Sequence, residues 1–253
     1  MSNAPSSGSD KKFWYLQNHR LFDQLSDDAV NSLCIISRYK EARRGEHIFF
    51  TEDTSDRIFI LKAGAVKIVQ TDKDGNEVVK DVLGDHDLFG HLPTRNRGSL
   101  QDEFAVALTD DVSICTFKRA DFEDVLARNP QVSLKLASHI GDKLRALEQK
   151  YDSLVFKDVR ARLLEFLRRY SELFTAERDA EGAVPNHLRQ EDIAQLIGST
   201  RQTVAELIGE LEREDLVRYS RKSILVRYIP NRLSCRVVAP TNGPRRSRDF
   251  CRR

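Results

Sequence analysis

The sequence predicts an α+β fold in which a β-rich N-terminal half is joined by one long helix to a small helical domain that ends in a β-hairpin. Three observations predict it. Short apolar runs between turn signals fill residues 39–117, apolar side chains then recur at helical spacing from Leu134 to Leu154, and two short amphipathic helices around Gly198 follow. The 253 residues are enough for two domains of roughly 100–150 residues each.

The composition is that of a soluble globular protein. Hydrophobic residues make up 40% and charged residues 32% of the chain, and the net charge of +2 neither requires nor excludes nucleic acid as a partner. The sequence has no run of ~18 uncharged apolar residues. Its N-terminus, MSNAPSSGSDKK, is polar and lacks the apolar segment of a secretory signal. We therefore expect no membrane association and a cytoplasmic location.

The cysteines argue against metal and disulfide chemistry. Cys34, Cys115, Cys235 and Cys251 are scattered, with no CxxC or Cys/His spacing. Without such spacing the sequence predicts no disulfide framework, no zinc site and no iron–sulfur cluster. Cys34 and Cys115 lie in apolar runs, where we expect buried structural thiols.

The N-terminal half divides into a helical part and a β part. Residues 1–12 are expected to be a flexible lead-in, and residues 13–39 carry helical patterns. Ser26, followed by two aspartates, is predicted to be the N-cap of a helix that runs through Ser37. The apolar runs between Tyr39 and Phe117 predict an all-β barrel or sandwich. Within it, Asp74-Gly75 predicts a hairpin turn, because glycine adopts the positive φ that a tight turn needs.

The long helix carries a narrow apolar seam. Its apolar residues recur three or four positions apart and are surrounded by charged side chains, which favours a homodimeric coiled coil. The alternative is an ordinary helix packed on its own barrel. Gly141 lies inside this helix and costs ~1 kcal/mol of helix propensity. The predicted dimer interface consists of Ala137, Ile140, Leu144, Leu147, Tyr151 and Leu154.

A helix-turn-helix with a β wing is predicted near the C-terminus. After a second helix that begins near Asp158, the segment RQEDIAQLIG forms a short helix, and Gly198 follows where a turn between helices needs a residue without Cβ. The segment STRQTVAELIGELEREDLV then turns Val204, Ile208 and Leu211 inward at helical spacing. The segment LVRYSRKSILVRYIP is predicted to be a two-stranded hairpin.

The front of the second helix of this motif has the side chains that reading DNA requires. Arg201 can donate two hydrogen bonds to guanine, and Gln202 can pair bidentately with adenine. The hydroxyls of Ser199 and Thr200 and the helix N-terminus suit phosphates, although such a pair can equally be a simple N-cap. Acids and bases are balanced over residues 187–229, so any positive surface is local. It would come from Arg189, Arg201, Arg218, Arg221 and Lys222, of which Arg221 and Lys222 are predicted to contact the DNA backbone.

The order of these parts resembles the CRP/FNR family, the bacterial transcription regulators related to the cyclic-AMP receptor protein. The likeness runs over residues 13–230. It is strongest at LRQEDIAQLIGSTRQTVAELIGELEREDLV and distinctive at GEHIFFTEDTSDRIFILKAGAVKIV. It implies a homodimeric regulator that binds a near-palindromic duplex site and contacts RNA polymerase. The implied domains are a cyclic-nucleotide-binding-like β-roll at 13–128, a dimerisation helix at 129–157, a winged helix-turn-helix at 158–232 and a tail at 233–253.

The resemblance also implies roles for individual residues in DNA recognition. Arg201, Gln202 and Glu206 occupy the positions that read base edges. Gln202 stands where many members have Glu, and Glu206 where many have Arg, so the half-site is expected to differ from the best-known consensus. Arg189, Gln190 and Thr200 match positions that contact the DNA backbone.

The sensor pocket departs from the family pattern. His91 stands where cyclic-nucleotide-binding members have a Glu, and acids lie near Gln101, where the phosphate-binding arginine is absent. An acid would repel a phosphate, so we expect no tight cyclic-AMP binding in the usual mode. The small-molecule effector is therefore unknown. The predicted effector pocket comprises Phe89, Gly90, His91, Arg95, Arg97, Gln101, Leu147 and Glu148, with Arg95 and Arg97 as an alternative anion site.

The sequence leaves several alternatives to this interpretation. The iron–sulfur branch of the family needs several N-terminal cysteines, and only Cys34 is present there. Haem remains an alternative with His47, His86 or His91 as axial ligand, but no cofactor is predicted. The chain shows no nucleophile–base pair and no phosphate-cradling glycine loop, so an enzyme is not expected. Two further alternatives are an effector-independent DNA-binding regulator with a structural barrel, and a sensing module that controls a protein partner.

Overall fold

The computed structural model describes residues 8–48, 57–90 and 103–227, and it has the predicted α+β architecture. Among these residues, none of the helices is both long and apolar enough to span a bilayer. The elements of the N-terminal half are α1 Gly8–Asn18, α2 Asp27–Ile36, β1 Arg38–Ala42, β2 Arg57–Ala63, β3 Val66–Thr71, β4 Glu77–Leu83, β5 Leu88–Gly90, β6 Glu103–Ala107, β7 Val112–Lys118 and α3 Arg119–Arg128. Those of the C-terminal half are α4 Pro130–Phe156, α5 Val159–Leu173, a 3-10 turn Thr175–Glu177, β8 Val184–Pro185, α6 Gln190–Ile197, α7 Arg201–Arg213, β9 Val217–Tyr219 and β10 Ser223–Val226.

Two antiparallel sheets face each other in the N-terminal half. One has the strand order β1-β7-β2-β5 and the other β4-β3-β6. The β3–β4 hairpin is confirmed: Gly75 has φ +83°, and the Asp72 N–H donates to the Asn76 carbonyl at 2.9 Å. The inner faces of the sheets meet in a core that includes Phe59, Leu61 and Ile114. This core lies between the two sheets of the β-rich domain, which the short apolar runs predicted as a barrel or sandwich.

The outer face of the first sheet is covered by the helices at the N-terminus and by the start of α4. Ile58, Ile60 and Phe117 on that face form one buried cluster with apolar residues such as Phe22 of the α1–α2 connection and Phe122 of α3. Ser26 caps α2 by accepting from the Ala29 N–H, as predicted, and the helix ends at Ile36 with Ser37 as its C-cap. The sheet is thereby sealed against α1–α3, while the other sheet turns its outer face to the C-terminal domain.

The cysteine predictions differ in outcome. Cys115 is fully buried, and burial raises the pKa of its thiol to about 11, as expected for an inert structural side chain. Cys34 is only partly buried. Cys235 and Cys251 lie outside the described residues.

Three secondary-structure elements differ from the sequence prediction. Helix α1 begins at Gly8, inside the segment 1–12 that was expected to be a flexible lead-in. Strand β1 was not predicted, because RYKEA is exposed at four positions and has no apolar alternation. Helix α3, Arg119–Arg128, was not predicted, because residues 119–128 were assigned to the β-roll; the dimerisation helix expected at 129–157 corresponds to α4, which begins at Pro130 directly after Asn129.

Candidate nucleic-acid interface

The helix-turn-helix depends on Gly198. This residue is the C-cap of α6 in the left-handed conformation (φ 64°, ψ 53°), and the Ser199 N–H reaches back to the Ala194 carbonyl at 2.9 Å. A Cβ at Gly198 would also approach the Leu154 side chain to 3.0 Å. The predicted need for a residue without Cβ is thus confirmed, and the turn sets the angle at which α7 leaves α6.

Helix α7 presents one buried and one exposed face. Val204, Ile208 and Leu211 are buried against the domain core. Arg201, Gln202 and Glu206 are exposed on the other side, at the N-terminal half of the helix. The Gln202 side-chain amide donates to the Glu206 carboxylate at 3.1 Å. This bond holds the amide in one orientation and leaves its carbonyl oxygen able to accept from a base.

Thr200 is the N-cap of α7. Its hydroxyl accepts from the Thr203 N–H at 3.2 Å and lies 2.9 Å from the Thr203 hydroxyl. Of the Ser199-Thr200 pair, Thr200 is therefore the residue that acts as an N-cap. The first N–H groups of a helix have no acceptor within the helix, and the N-terminus of α7 therefore favours an anion.

The start of α6 has a cation and a buried carboxylate side by side. Arg189 is exposed and Gln190 is half-buried at the first turn. The Asp192 carboxylate accepts from the Arg189 N–H at 2.9 Å, and the residue is buried. A buried acid at this position needs a cationic partner, and the barrel supplies it through Lys67, whose ammonium lies 2.8 Å from Asp192.

The wing is confirmed as an antiparallel hairpin, with Ile224 opposite Tyr219. Strand β8, which was not predicted, completes a three-stranded sheet in the order β8-β10-β9. Arg221 and Lys222 are exposed at its tip. Arg218 is partly offset, because it lies 3.5 Å from the Glu181 carboxylate. The positive groups of the wing are therefore concentrated at the turn.

The predicted effector pocket is only partly described. Phe89 is buried and stacked on Phe59 with ring centroids 5.0 Å apart. Gly90 has φ +93°, and a Cβ there would lie 2.6 Å from the Arg57 carbonyl oxygen, so this position requires glycine. Leu147 and Glu148 are exposed on α4. The other members, His91, Arg95, Arg97 and Gln101, lie outside the described residues.

A cleft of about 600 Å³ lies beside the barrel, and its walls come from the barrel, α4, α5 and α6. Phe89, Gly90 and Leu147 line it, whereas Glu148 does not. Two of the lining residues form an ion pair between α4 and the barrel: the Lys143 ammonium lies 2.6 Å from the Asp87 carboxylate. The two ends of the predicted pocket, on the barrel and on α4, are thus brought together in one cleft.

The histidines considered as haem ligands have protein neighbours. His47 stacks on Phe104 with centroids 4.9 Å apart. His86 stands between Tyr15 and His19, 5.2 Å from the latter ring. His91 is not described. Within the described part of the chain, no group of three or more His, Cys, Asp or Glu side chains is placed to hold a metal ion.

The seam of α4 is exposed in the single chain. Ile140, Leu144, Leu147, Tyr151 and Leu154 are 44%, 55%, 62%, 66% and 45% exposed, and Ala137 is exposed as well. Large apolar side chains at that exposure, repeated along one helix, form a contiguous patch of the kind that marks an interaction surface. Packing of this stripe on the chain's own barrel, the alternative reading, is thus not observed.

Sequence reasoning missed the residues that join the domains. Arg162 of α5 donates to the carbonyls of Ile197 at 2.9 Å and Gly198 at 3.2 Å, and also to that of Lys157 after α4. Gln195 of α6 contacts the backbone of β4. These are surface-type polar residues with no motif of their own, so only the assembled structure reveals their partners.

The chain is similar to known proteins along most of its length. The cyclic nucleotide-binding domain model matches residues 39–129, and the Crp-like helix-turn-helix domain model matches residues 161–231. A CRP-like cAMP-activated global transcriptional regulator of Mycobacterium tuberculosis is 27% identical over 206 residues, which are 81% of this chain and 91% of that protein. The global nitrogen regulator of a Nostoc species is 29% identical over 185 residues, covering 72% of this chain and 82% of that protein.

Solved structures have the same fold. FixK2 from Bradyrhizobium japonicum superposes with a TM-score of 0.62 at 21% identity, over 76% of this chain and 93% of that one. The c-di-GMP-responsive regulator CLP of Xanthomonas campestris gives a TM-score of 0.65 at 15% identity, over 80% and 100% of the two chains. The fold and the exposed front of α7 thus define a DNA-binding regulator with a cyclic-nucleotide-binding-type barrel. The chain belongs to the CRP/FNR family of transcription regulators, as its sequence predicted.

Proposed function

We propose that this regulator acts as a homodimer that reads a near-palindromic duplex by inserting α7 of each copy into the major groove. The observation that carries the proposal is the exposed row of Arg201, Gln202 and Glu206 at the front of a helix whose other face is fully buried. Arginine and glutamine are the side chains that pair bidentately with guanine and adenine. Arg189, Gln190, Ser199, Thr200, Arg221 and Lys222 would hold the DNA backbone.

The second copy would pack against the exposed stripe of α4. The stripe extends from Ala137 to Leu154 and offers apolar side chains at the spacing of a coiled-coil seam. Burying it would remove from water the large side chains that a single chain leaves open. A two-fold axis along α4 would also give the two recognition helices the symmetric arrangement that a palindromic site requires.

The barrel would sense a signal through a pocket unlike that of cyclic-AMP receptors. The side chain of Leu147 on α4 offers a nucleobase no hydrogen bond, and the neighbouring Glu148 is exposed and does not line the cleft. A ligand in the cleft would touch the barrel, α4 and the DNA-binding domain together. It could therefore shift the population of DNA-competent poses by its differential affinity for them. Isothermal titration with cyclic AMP should give no binding at micromolar concentration, and micromolar affinity would refute this part.

We therefore propose that the protein regulates transcription in the cytoplasm by binding duplex DNA, with RNA polymerase as its partner at promoters. No catalytic role is proposed. The Mycobacterium tuberculosis relative is described as cAMP-activated, whereas we propose that a different small molecule regulates this chain. Comparing DNA affinity with and without candidate effectors separates this from an effector-independent regulator. An affinity that no effector changes would favour the latter.

The decisive experiment is selection of bound duplexes from a random pool, followed by affinity measurements on the selected site. Replacing Arg201 or Gln202 by Ala should cost about 1–3 kcal/mol of binding per lost base contact and relax the sequence preference at that base pair. Arg213→Ala is the matched control, because Arg213 lies at the far end of the same helix. Unchanged affinity in Arg201→Ala and Gln202→Ala would favour a sensing module that acts on a protein partner.

A further inference from the structure

Helix α6, the first helix of the helix-turn-helix, is fixed to the barrel of its own chain. The Lys67 ammonium on β3 lies 2.8 Å from the Asp192 carboxylate on α6, and the two side chains are only 19% and 10% exposed. An ion pair shielded in this way is screened by salt much less than one on the open surface. It therefore links strand and helix more firmly than an exposed pair would.

Gln195, almost one turn further along α6, binds the backbone of β4 with both ends of its amide. Its oxygen accepts from the Val79 N–H at 2.8 Å, and its nitrogen donates to the Glu77 carbonyl at 3.1 Å. Among the described strands, β4 lies at the edge of its sheet, so these backbone groups have no neighbouring strand there to pair with. Gln195 takes the place that a further strand would occupy.

The polar contacts surround a shared apolar core. Val69 and Val79 of the barrel belong to the same buried cluster as Ile193, Leu196 and Ile197 of α6. The sheet face opposite the barrel interior is thus covered by the DNA-binding domain. Because side chains of both domains are buried together, α6 cannot tilt away from β3 and β4 without exposing apolar surface.

The charges at the start of α6 indicate what this attachment does. Asp192 accepts from the Arg189 N–H, so its carboxylate lies at the helix end that is proposed to meet the DNA backbone through Arg189 and Gln190. Left unpaired, that carboxylate would repel a phosphate. Lys67 neutralises it only while α6 is seated on the barrel.

We propose that Lys67 and Gln195 are positioning residues for DNA binding, which hold α6, and through Gly198 the recognition helix, in the pose that engages DNA. Neither residue needs to touch the duplex. The barrel thereby supplies a structural part of the DNA-binding site, and the inference rests on the proposed DNA-binding function.

The test uses the full-length protein and its selected duplex. Lys67→Met removes the ion pair without altering α6, and Gln195→Ala releases β4 without changing the net charge. Each should weaken specific binding by at least about fivefold, the lower end of usual coupling between sites. Lys67→Arg should restore binding, because it keeps the ion pair with Asp192. Lys73→Met in the β3–β4 turn is the matched control, since Lys73 is exposed and loses the same charge on the same hairpin.

Two readouts separate positioning from a general loss of structure. Circular dichroism at the assay temperature should show that each variant is folded, and affinity is compared on the folded protein. The dependence of log affinity on log salt should keep its slope in Gln195→Ala, because no phosphate contact is lost. A direct DNA contact by Lys67 would instead reduce the slope by about one in Lys67→Met.

Folded Lys67→Met and Gln195→Ala proteins that bind as tightly as the wild type would overturn the inference and leave the proposed function intact. Tighter binding would overturn it as well, because the attachment would then oppose DNA engagement. A wild-type protein that selects no duplex would instead refute the proposed function, and this inference with it.

Discussion

His19 is a histidine that the fold keeps neutral. It is 1% exposed, and its Nε2 has no hydrogen-bond partner among the described residues. Burial, and next the charge that His86 would carry, lower its pKa to about 3. Two further groups act on it: the charges of His139 and Arg20 also lower this pKa. The site therefore binds a proton far less readily than the same residue in the unfolded chain.

Acid should consequently destabilise the protein. Between about pH 6.5 and pH 3 the unfolded chain binds a proton at His19 that the folded chain excludes, so the free energy of unfolding falls with decreasing pH by up to about 1.4 kcal/mol per pH unit for this one group. Urea unfolding at pH 7 and pH 5 measures the loss. His19→Gln should show a smaller loss between the two pH values, and an identical loss would show that other groups are responsible.

At the residue scale, Gly90 at the end of β5 has a backbone conformation and surroundings that favour glycine. Its φ is positive, and a Cβ at this position would lie only 2.6 Å from the Arg57 carbonyl oxygen. The positive φ alone would cost alanine about 1 kcal/mol, and the contact of the Cβ with the carbonyl adds to this cost. Gly90→Ala is therefore expected to lower the free energy of unfolding by more than about 1 kcal/mol. Thermal unfolding measures this, with Gly45→Ala as a comparison that has the same sign of φ but open space around it. Equal losses in the two variants would mean that the contact with Arg57 is unimportant.

At the scale of elements, the junction between α4 and α5 is short and well capped. Only Lys157 and Asp158 separate the helices, and Asp158 accepts from the Ala161 N–H at 2.7 Å. Glu165 accepts from the Ser153 hydroxyl at 3.0 Å and from the Lys157 ammonium at 2.8 Å. Side chains from both helices thus fix the angle at which the DNA-binding domain leaves the long helix.

Removing the cap should weaken this junction. Asp158→Ala leaves the first N–H groups of α5 without their side-chain acceptor and is expected to cost about 1 kcal/mol of stability. Chemical denaturation measures the loss. Asp158→Asn keeps an acceptor oxygen and should retain most of the stability. A loss as large in Asp158→Asn as in Asp158→Ala would point to the charge of Asp158, and not to its capping bond.

At the scale of the whole molecule, the exposed stripe of α4 is an apolar surface that the described part of a single chain leaves uncovered. Leu144→Lys should not harm the folded monomer, because the side chain is 55% exposed, but it would place two charges in the proposed seam. Sedimentation should show a dimer for the wild type and dissociation for this variant. Gln149→Lys, an exposed position on the same helix, is the control. A monomeric wild type would refute the proposed homodimer.

The sequence and the structure agree best where the pattern is local. Gly198, the Ser26 cap and the Asp74-Gly75 hairpin were all predictable, because each depends on the backbone preference of one or two residues. Strand β1 was missed because it is exposed and carries no alternation. The joint between the domains was missed because its partners, such as Gln195 and Val79, are far apart in the chain.

The sequence by itself determined the order of the parts and the exposed front of α7, because periodicity, caps and turn residues act over a few positions. The family was predicted from the resemblance of these segments to the CRP/FNR family. Only the tertiary structure decided that α6 packs on β3 and β4 and that Lys67 of the barrel forms an ion pair with the buried Asp192. It also decided that Arg162 donates hydrogen bonds to the carbonyls of the turn. The reason is that a hydrogen bond between a common polar side chain and a distant backbone leaves no periodic trace. It exists only once the two surfaces have been brought together.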